Sequence, residues 1–137
     1  MTGILATMGS ETPGRIERWP LFVYGTLLPG EVRGHLLEPY VVGEGPPDTA
    51  AGTLYDTGLD YPAAVFGGGG TIIGRTFEIA PELHDDCIEH LDIVEGIVGG
   101  LYSRIVITTG RGIEAWSYRY GGGLDLTPIP SGDWLGR

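Results

Sequence analysis

Short runs of apolar residues, most of them four to nine long and separated by glycine or proline, set the pattern of this chain. Leu21-Phe22-Val23-Tyr24 is unbroken and closed by Gly25, which predicts a buried strand that turns sharply at its end. Pro29-Gly30 breaks the chain, and Glu31 to Glu38 has the make-up of one or two helical turns. Tyr40 to Val42 and Gly52 to Tyr55 read as short strands on either side of a Pro46-Pro47 turn. Ala63 to Phe66 predicts another, followed by a loop at Gly67 to Gly70, a run that no regular element is expected to hold. Thr71 to Ile79 predicts a longer strand. Leu101 to Thr108 and Ile113 to Tyr120 alternate apolar with polar around the Gly110-Arg111-Gly112 turn, as a hairpin does.

The period changes after Pro81, a residue suited to the first turn of a helix because its missing N–H would have no partner there. From Pro81 to about Leu91 a helical projection puts Leu83, Cys87, Ile88, Leu91 and Val94 on one face. Glu82, Asp85, Asp86, Glu89 and Asp92 fall on the other. Glu95 breaks this division. If the helical turn persists to Gly96, Glu95 projects toward the apolar side, where desolvation would raise its pKa toward neutrality. If the helix ends near Asp92, Glu95 is a solvated terminal residue. Many short strands with one firm helix make the expected fold class α+β: a small mixed β-barrel or strongly bent sheet with flanking helices.

With 137 residues, 42% of them hydrophobic, the chain has material for one core. Residues 1–18 are aperiodic and read as a flexible extension. A single domain is expected over 19–137, its tail irregular from about residue 121. The formal net charge of −10 argues against nucleic acid, whose affinity rests on cationic side chains replacing counterions. All eight basic residues are arginines, so there is no lysine for a Schiff base or a P-loop. No apolar run is long enough to span a membrane and the first residues lack a signal-peptide pattern. One cysteine, Cys87, cannot close an intramolecular disulfide, and cytoplasmic localisation is the expectation.

Two segments hold candidate chemistry. Tyr24-Gly25-Thr26-Leu27 can turn successive backbone N–H groups toward an anion, because Gly25 permits a close approach, although the same pattern also describes a plain strand-to-loop turn. Glu95 is the second. His84, Cys87 and His90 do not form a metal site by spacing: three-residue steps rotate the histidines to opposite margins of Cys87 and no further ligands lie near. They read as a buried structural cysteine with surface or boundary histidines. No G-x-S-x-G is present, and the glycine run lacks the helix a dinucleotide fingerprint needs.

Four motifs in order then carry a resemblance over about Trp19 to Tyr120. Phe22-Val23-Tyr24-Gly25-Thr26-Leu27, Gly52-Thr53-Leu54-Tyr55-Asp56 leading to Tyr61-Pro62-Ala63, Leu91-Asp92-Ile93-Val94-Glu95-Gly96 with Tyr102 and Arg104, and Ala115-Trp116-Ser117-Tyr118 resemble the γ-glutamylcyclotransferase-like proteins. The Tyr-Gly-Thr-Leu form is closer to the γ-glutamylamine cyclotransferase and AIG2-like branch than to the glutathione-specific one. Pro29-Gly30-Glu31 departs from the Lys-x-Gly continuation of that branch, which leaves the pocket rim and the leaving group open. The resemblance implies a compact β-barrel with flanking helices, a small-molecule γ-glutamyl substrate, no cofactor and release of 5-oxoproline. It implies Glu95 as acid/base and a substrate pocket at Tyr24, Gly25, Thr26, Leu27, Tyr61, Pro62, Tyr102 and Tyr118. The two last tyrosines read equally as orienting groups or as buried sheet aromatics. Hydrolysis to glutamate, or a binding module for a small carboxylate, are the alternatives on the same pocket.

Overall fold

In a computed structural model, described for residues 17–99, 102–122 and 125–137, the elements run β1 (Leu21–Val23), α1 (Gly34–Leu37), β2 (Val41–Val42), β3 (Pro47–Asp56), β4 (Pro62–Ile79), α2 (His84–Gly99), β5 (Tyr102–Thr108), β6 (Glu114–Tyr120) and β7 (Thr127–Pro128). The sheet order is β5-β6-β1-β4-β3-β7, with β2 paired to β4. β1 pairs antiparallel with β4 and parallel with β6, so the sheet is mixed. It curls into a half-barrel flanked by the two helices, the α+β architecture expected. Most of the proposed extension 1–18 and Leu101, the expected first residue of β5, lie outside the described residues. No described helix is long and apolar enough to cross a membrane.

The centre of the sheet explains the unbroken apolar run. Leu21 and Val23 point into one core with Leu27, Leu37, Phe77, Cys87, Ile88 and Leu91. Phe22 and Tyr24 point into a second with Ala50, Leu54, Ile72, Ala115, Ile129 and Trp134. A strand buried on both faces needs apolar residues at every position, which alternation would not supply. The segment from residue 121 is irregular over most of its described length, yet it is packed: β7 pairs with β3, and Ile129 and Trp134 are buried in the second core.

Three expected element boundaries need correction. Gly67 to Gly70 is not a loop between strands but lies within β4. β3 partners move from Ala51 to Gly52 while β4 partners jump from Thr71 to Phe66, so the four glycines form a bulge in one long strand. Gly67 and Gly68 have φ of 100° and 81°, which only glycine adopts without strain. Pro47 begins β3 instead of ending a turn. It serves as the first residue of that strand, a position where proline is accepted. The helix also continues past Gly96 to Gly99, after a 3-10 turn at Pro81–Leu83.

α2 packs the face that periodicity assigned to it, with Cys87, Ile88 and Leu91 at 0% exposure. His84, expected at a surface or boundary, is instead buried, and its Nε2 meets the Trp19 carbonyl oxygen at 2.9 Å. Burial is tolerated because the ring finds that acceptor 65 residues away. Cys87 is buried as expected, and burial pushes its thiol up to about 12. Among the described residues, no group of three or more His, Cys, Asp or Glu side chains is arranged for a metal ion.

Besides the pairing of β6 with β1, one buried acid, Asp48 of β3, ties down the turn of the β5–β6 hairpin. Asp48 accepts from Thr76 Oγ1 at 2.7 Å, from the Thr49 amide at 2.8 Å and from the Arg111 amide at 3.2 Å. Burial acts to raise its pKa, but hydrogen bonds from Thr76, Thr109, Thr49 and Arg111 outweigh it and hold the value below 3.8. A depressed folded pKa gives stability that is present above the ordinary value and lost as pH falls through the folded one. Asp48→Asn is therefore expected to cost about 1–3 kcal/mol at pH 7 in urea unfolding, the difference from the parent closing as pH falls below 3.8. Folded protein at pH 8 should also resist iodoacetamide at Cys87, with alkylation becoming fast in denaturant.

Candidate active site

β1 delivers its last residue to the mouth of the half-barrel. Ser117 Oγ donates to the Phe22 carbonyl at 2.9 Å and Tyr24 Oη to the Tyr118 carbonyl at 2.6 Å, which fixes the strand end against β6. Gly25 then turns the chain. A Cβ there would lie 2.6 Å from Pro62 Cγ, so any side chain would displace a wall of the pocket. The Leu28 amide donates to the Gly25 carbonyl at 3.0 Å and the Arg33 amide to the Thr26 carbonyl at 2.8 Å. Those bonds occupy the carbonyls of the turn. Among the described residues, the amides of Gly25, Thr26 and Leu27 donate to no turn, loop or side-chain acceptor.

Opposite this turn, α2 carries two acids, Asp92 and Glu95, into different environments. Asp92 accepts from Arg104 Nε at 2.9 and 3.2 Å and from Tyr118 Oη at 2.8 Å. Arg104 also lies 4.2 Å from the Trp116 ring centroid, so the guanidinium is held on both sides. Glu95 has no such partner and faces the pocket. Burial raises its pKa from 4.5 to about 7, against the pull of the Arg33 charge. The continuation of α2 beyond Asp92 decides this: Glu95 sits nearly a turn further along the helix, on the pocket side.

Tyrosines close the walls. The Tyr102 hydroxyl donates to the Pro62 carbonyl, and the Tyr61 ring meets the Tyr102 ring edge-on at 6.2 Å. Burial, reinforced by Glu95, lifts the pKa of Tyr24 and of Tyr102 well above the ordinary phenol value. For Tyr118 burial acts first, then the hydrogen bond to Asp92. All three therefore remain protonated donors at neutral pH. Tyr118 orients Asp92 and not Glu95, and the Tyr102 hydroxyl is engaged by the backbone.

Tyr24, Gly25, Thr26, Leu27, Tyr61, Pro62, Glu95, Tyr102 and Tyr118 all line one open pocket. Residues up to 94 apart in sequence are thus brought together. Sequence reasoning missed Arg33, which stands behind the turn and acts on Glu95. Its one visible signal was an arginine shortly after the Gly25 turn in a strongly acidic chain.

The residues named by the sequence motifs share one apolar-walled pocket, in which a glycine turn faces a half-buried carboxyl whose pKa is raised toward neutrality. The family model described as "Gamma-glutamyl cyclotransferase, AIG2-like" matches residues 21–136, and the chain belongs to that family. A curated relative from Halalkalibacterium halodurans, named "Putative gamma-glutamylcyclotransferase BH1612", is 38% identical over 88 residues, spanning 61% of this chain and 78% of that protein. Among solved structures, the uncharacterized protein PH0828 of Pyrococcus horikoshii superposes with a TM-score of 0.66 at 25% identity, covering 86% of this chain and 91% of the other. YkqA of Bacillus subtilis gives 0.65 at 30% identity, covering 86% of this chain and 40% of the other.

The raised pKa of Glu95 carries a stability consequence. A carboxyl whose folded pKa lies above its unfolded value favours folding fully below the unfolded pKa, and that contribution is lost as pH rises through the folded one. Here the window runs from 4.5 to about 7. Glu95→Gln removes the ionisation, so the variant should match the parent below pH 4.5. Above pH 7 it should be the more stable by up to about 3 kcal/mol. Chemical denaturation at pH 4, 6 and 8 checks this, and a constant difference would contradict it.

Proposed function

We propose that this protein cyclises a γ-glutamyl amide or γ-glutamyl amine to 5-oxoproline, releasing the free amine, with Glu95 moving the protons. The observation that carries the reading is the placement of an unpaired, desolvated carboxyl across one pocket from the Gly25–Leu27 amides. Membership of the family and the name of the Halalkalibacterium halodurans relative support it.

The substrate brings its own nucleophile, since its α-amine can close a five-membered ring on the γ-carbonyl carbon. Ionised Glu95 takes a proton from the α-ammonium, and the freed amine attacks. A C–N bond to the ring nitrogen forms, the carbonyl electrons move to oxygen, and the Gly25, Thr26 and Leu27 amides are the donors offered to that oxygen. Donors of this kind contribute about 3–4 kcal/mol each where they have been removed. As the carbonyl reforms, the bond to the leaving amine breaks, protonated Glu95 supplies that amine's proton, and the carboxylate so freed takes the surplus proton from the ring nitrogen and passes it to the released amine, leaving a neutral lactam and an ammonium ion. A carboxyl near pH 7 serves both transfers because neither form is scarce. The buried aromatic walls hold the glutamyl chain folded for attack, and such orientation supplies up to roughly 7–11 kcal/mol in the best cases.

Glu95→Gln is expected to lower turnover by at least about 10²–10⁴-fold while 5-oxoproline still binds, because Gln keeps the size and not the proton. Parental turnover by the variant would remove Glu95 from the mechanism. The kcat/KM of the parent should rise with pH through about 7 as Glu95 ionises. Turnover in ¹⁸O-water distinguishes cyclisation, which yields unlabelled 5-oxoproline, from hydrolysis, which yields labelled glutamate.

A further inference from the structure

Arg33 is the residue in this region whose bonding is unfinished. Its amide is tied to the Thr26 carbonyl, so its backbone stands directly behind the glycine turn. One end of its guanidinium, Nη2, reaches Asp60 Oδ2 at 3.5 Å, and Asp60 precedes the pocket-wall residues Tyr61 and Pro62. Arg33 thus stands just behind the residues that line the pocket, not among them, with its side chain 20% exposed. Its other end, Nη1, is fully buried and has no acceptor. Among the described residues it is the one buried side-chain nitrogen or oxygen without a hydrogen-bond partner.

A buried charged donor left unpaired is costly, which makes its persistence informative. Asp60 cannot quench it, because that carboxylate is 64% exposed and engages the other nitrogen. Arg104 is engaged by Asp92 through Nε and lies over the Trp116 ring. The site also has to accept an anion in an acidic chain of net charge −10, facing Glu95. Something positive must compensate, and the Arg33 charge is already felt at Glu95.

We propose that Arg33 Nη1 anchors a carboxylate of the substrate, completing its bonding only when the pocket is filled. This rests on the γ-glutamyl reading of the same pocket. Two carboxylates have the right chemistry: the α-carboxylate of the glutamyl unit, one carbon from the amine that Glu95 deprotonates, and a carboxylate carried by an amino-acid leaving group.

Calorimetry with 5-oxoproline and its uncharged amide, on the parent, Arg33→Gln, Arg33→Lys and Asp60→Asn, tests the first source. The parent and Asp60→Asn should prefer the acid over the amide by roughly ten- to a hundredfold. Arg33→Gln should bind both alike, and Arg33→Lys should keep part of the preference, which also covers the case in which the Gln variant folds poorly. The second source is tested by kcat/KM on γ-glutamylalanine against γ-glutamylalaninamide. If Arg33→Gln erases the preference in that pair alone, the anchored carboxylate belongs to the leaving group. The proposal is overturned if Arg33→Gln and Arg33→Lys leave both preferences as in the parent, or if Asp60→Asn erases them as completely as Arg33→Gln. If the parent binds neither 5-oxoproline nor its amide and turns over neither peptide, the γ-glutamyl reading itself fails and takes this proposal with it. Normal 5-oxoproline formation with parental preferences in Arg33→Gln overturns the anchor alone.

Discussion

Holding one carboxyl largely out of water is the constraint on which the proposed chemistry depends. Glu95 would titrate near 4.5 in solvent, and its burial in an aromatic pocket brings it to about 7. That shift requires the neighbouring acid to be kept apart. Asp92, one helical step of three earlier, is satisfied by Arg104 and Tyr118, so the two carboxyls on one helix do different work. Two acids in contrasting environments are how a single fold provides both a fixed charge and a transferable proton.

The remaining architecture keeps that pocket in place. β1 is buried on both faces and bonded on both sides, so its end cannot drift, and the glycine turn that follows inherits the rigidity of the sheet. α2 presses Cys87, Ile88 and Leu91 into the same core as Leu21 and Val23, which sets the height of Glu95 opposite the turn. Contact between Gly25 and Pro62 closes the third side. Site groups carried by strand ends and a packed helix hold their geometry better than groups on free loops.

Much of this was legible in residue order, for reasons that are physical. The run from Leu21 to Tyr24 followed by Gly25 states a two-sided strand and a turn, and the apolar stripe of α2 states which face packs. Glu95 stood out because it broke that stripe, although the end of the helix could not be read: Gly96 costs about 1 kcal/mol relative to alanine in a helix, and here the helix continues through it. What escaped depends on distant partners. The four glycines of β4 are held in a strand only because both halves of β4 pair with β3, and His84 is buried because Trp19 offers a carbonyl. Arg33 acquires meaning only once the fold brings its charge close enough to act on Glu95 and leaves one nitrogen unpaired. Propensity is local, whereas these outcomes are set by pairing and packing across the chain.

The account turns on the state of a single proton, and that proton can be watched directly. With glutamate labelled at the side-chain carboxyl carbon, an NMR pH titration of the folded protein, with Glu95→Gln as the assignment control, reads the Glu95 ionisation. The account predicts a midpoint near 7, displaced from the other glutamates. A midpoint at the ordinary 4.5 would show a solvated carboxyl and contradict the central claim.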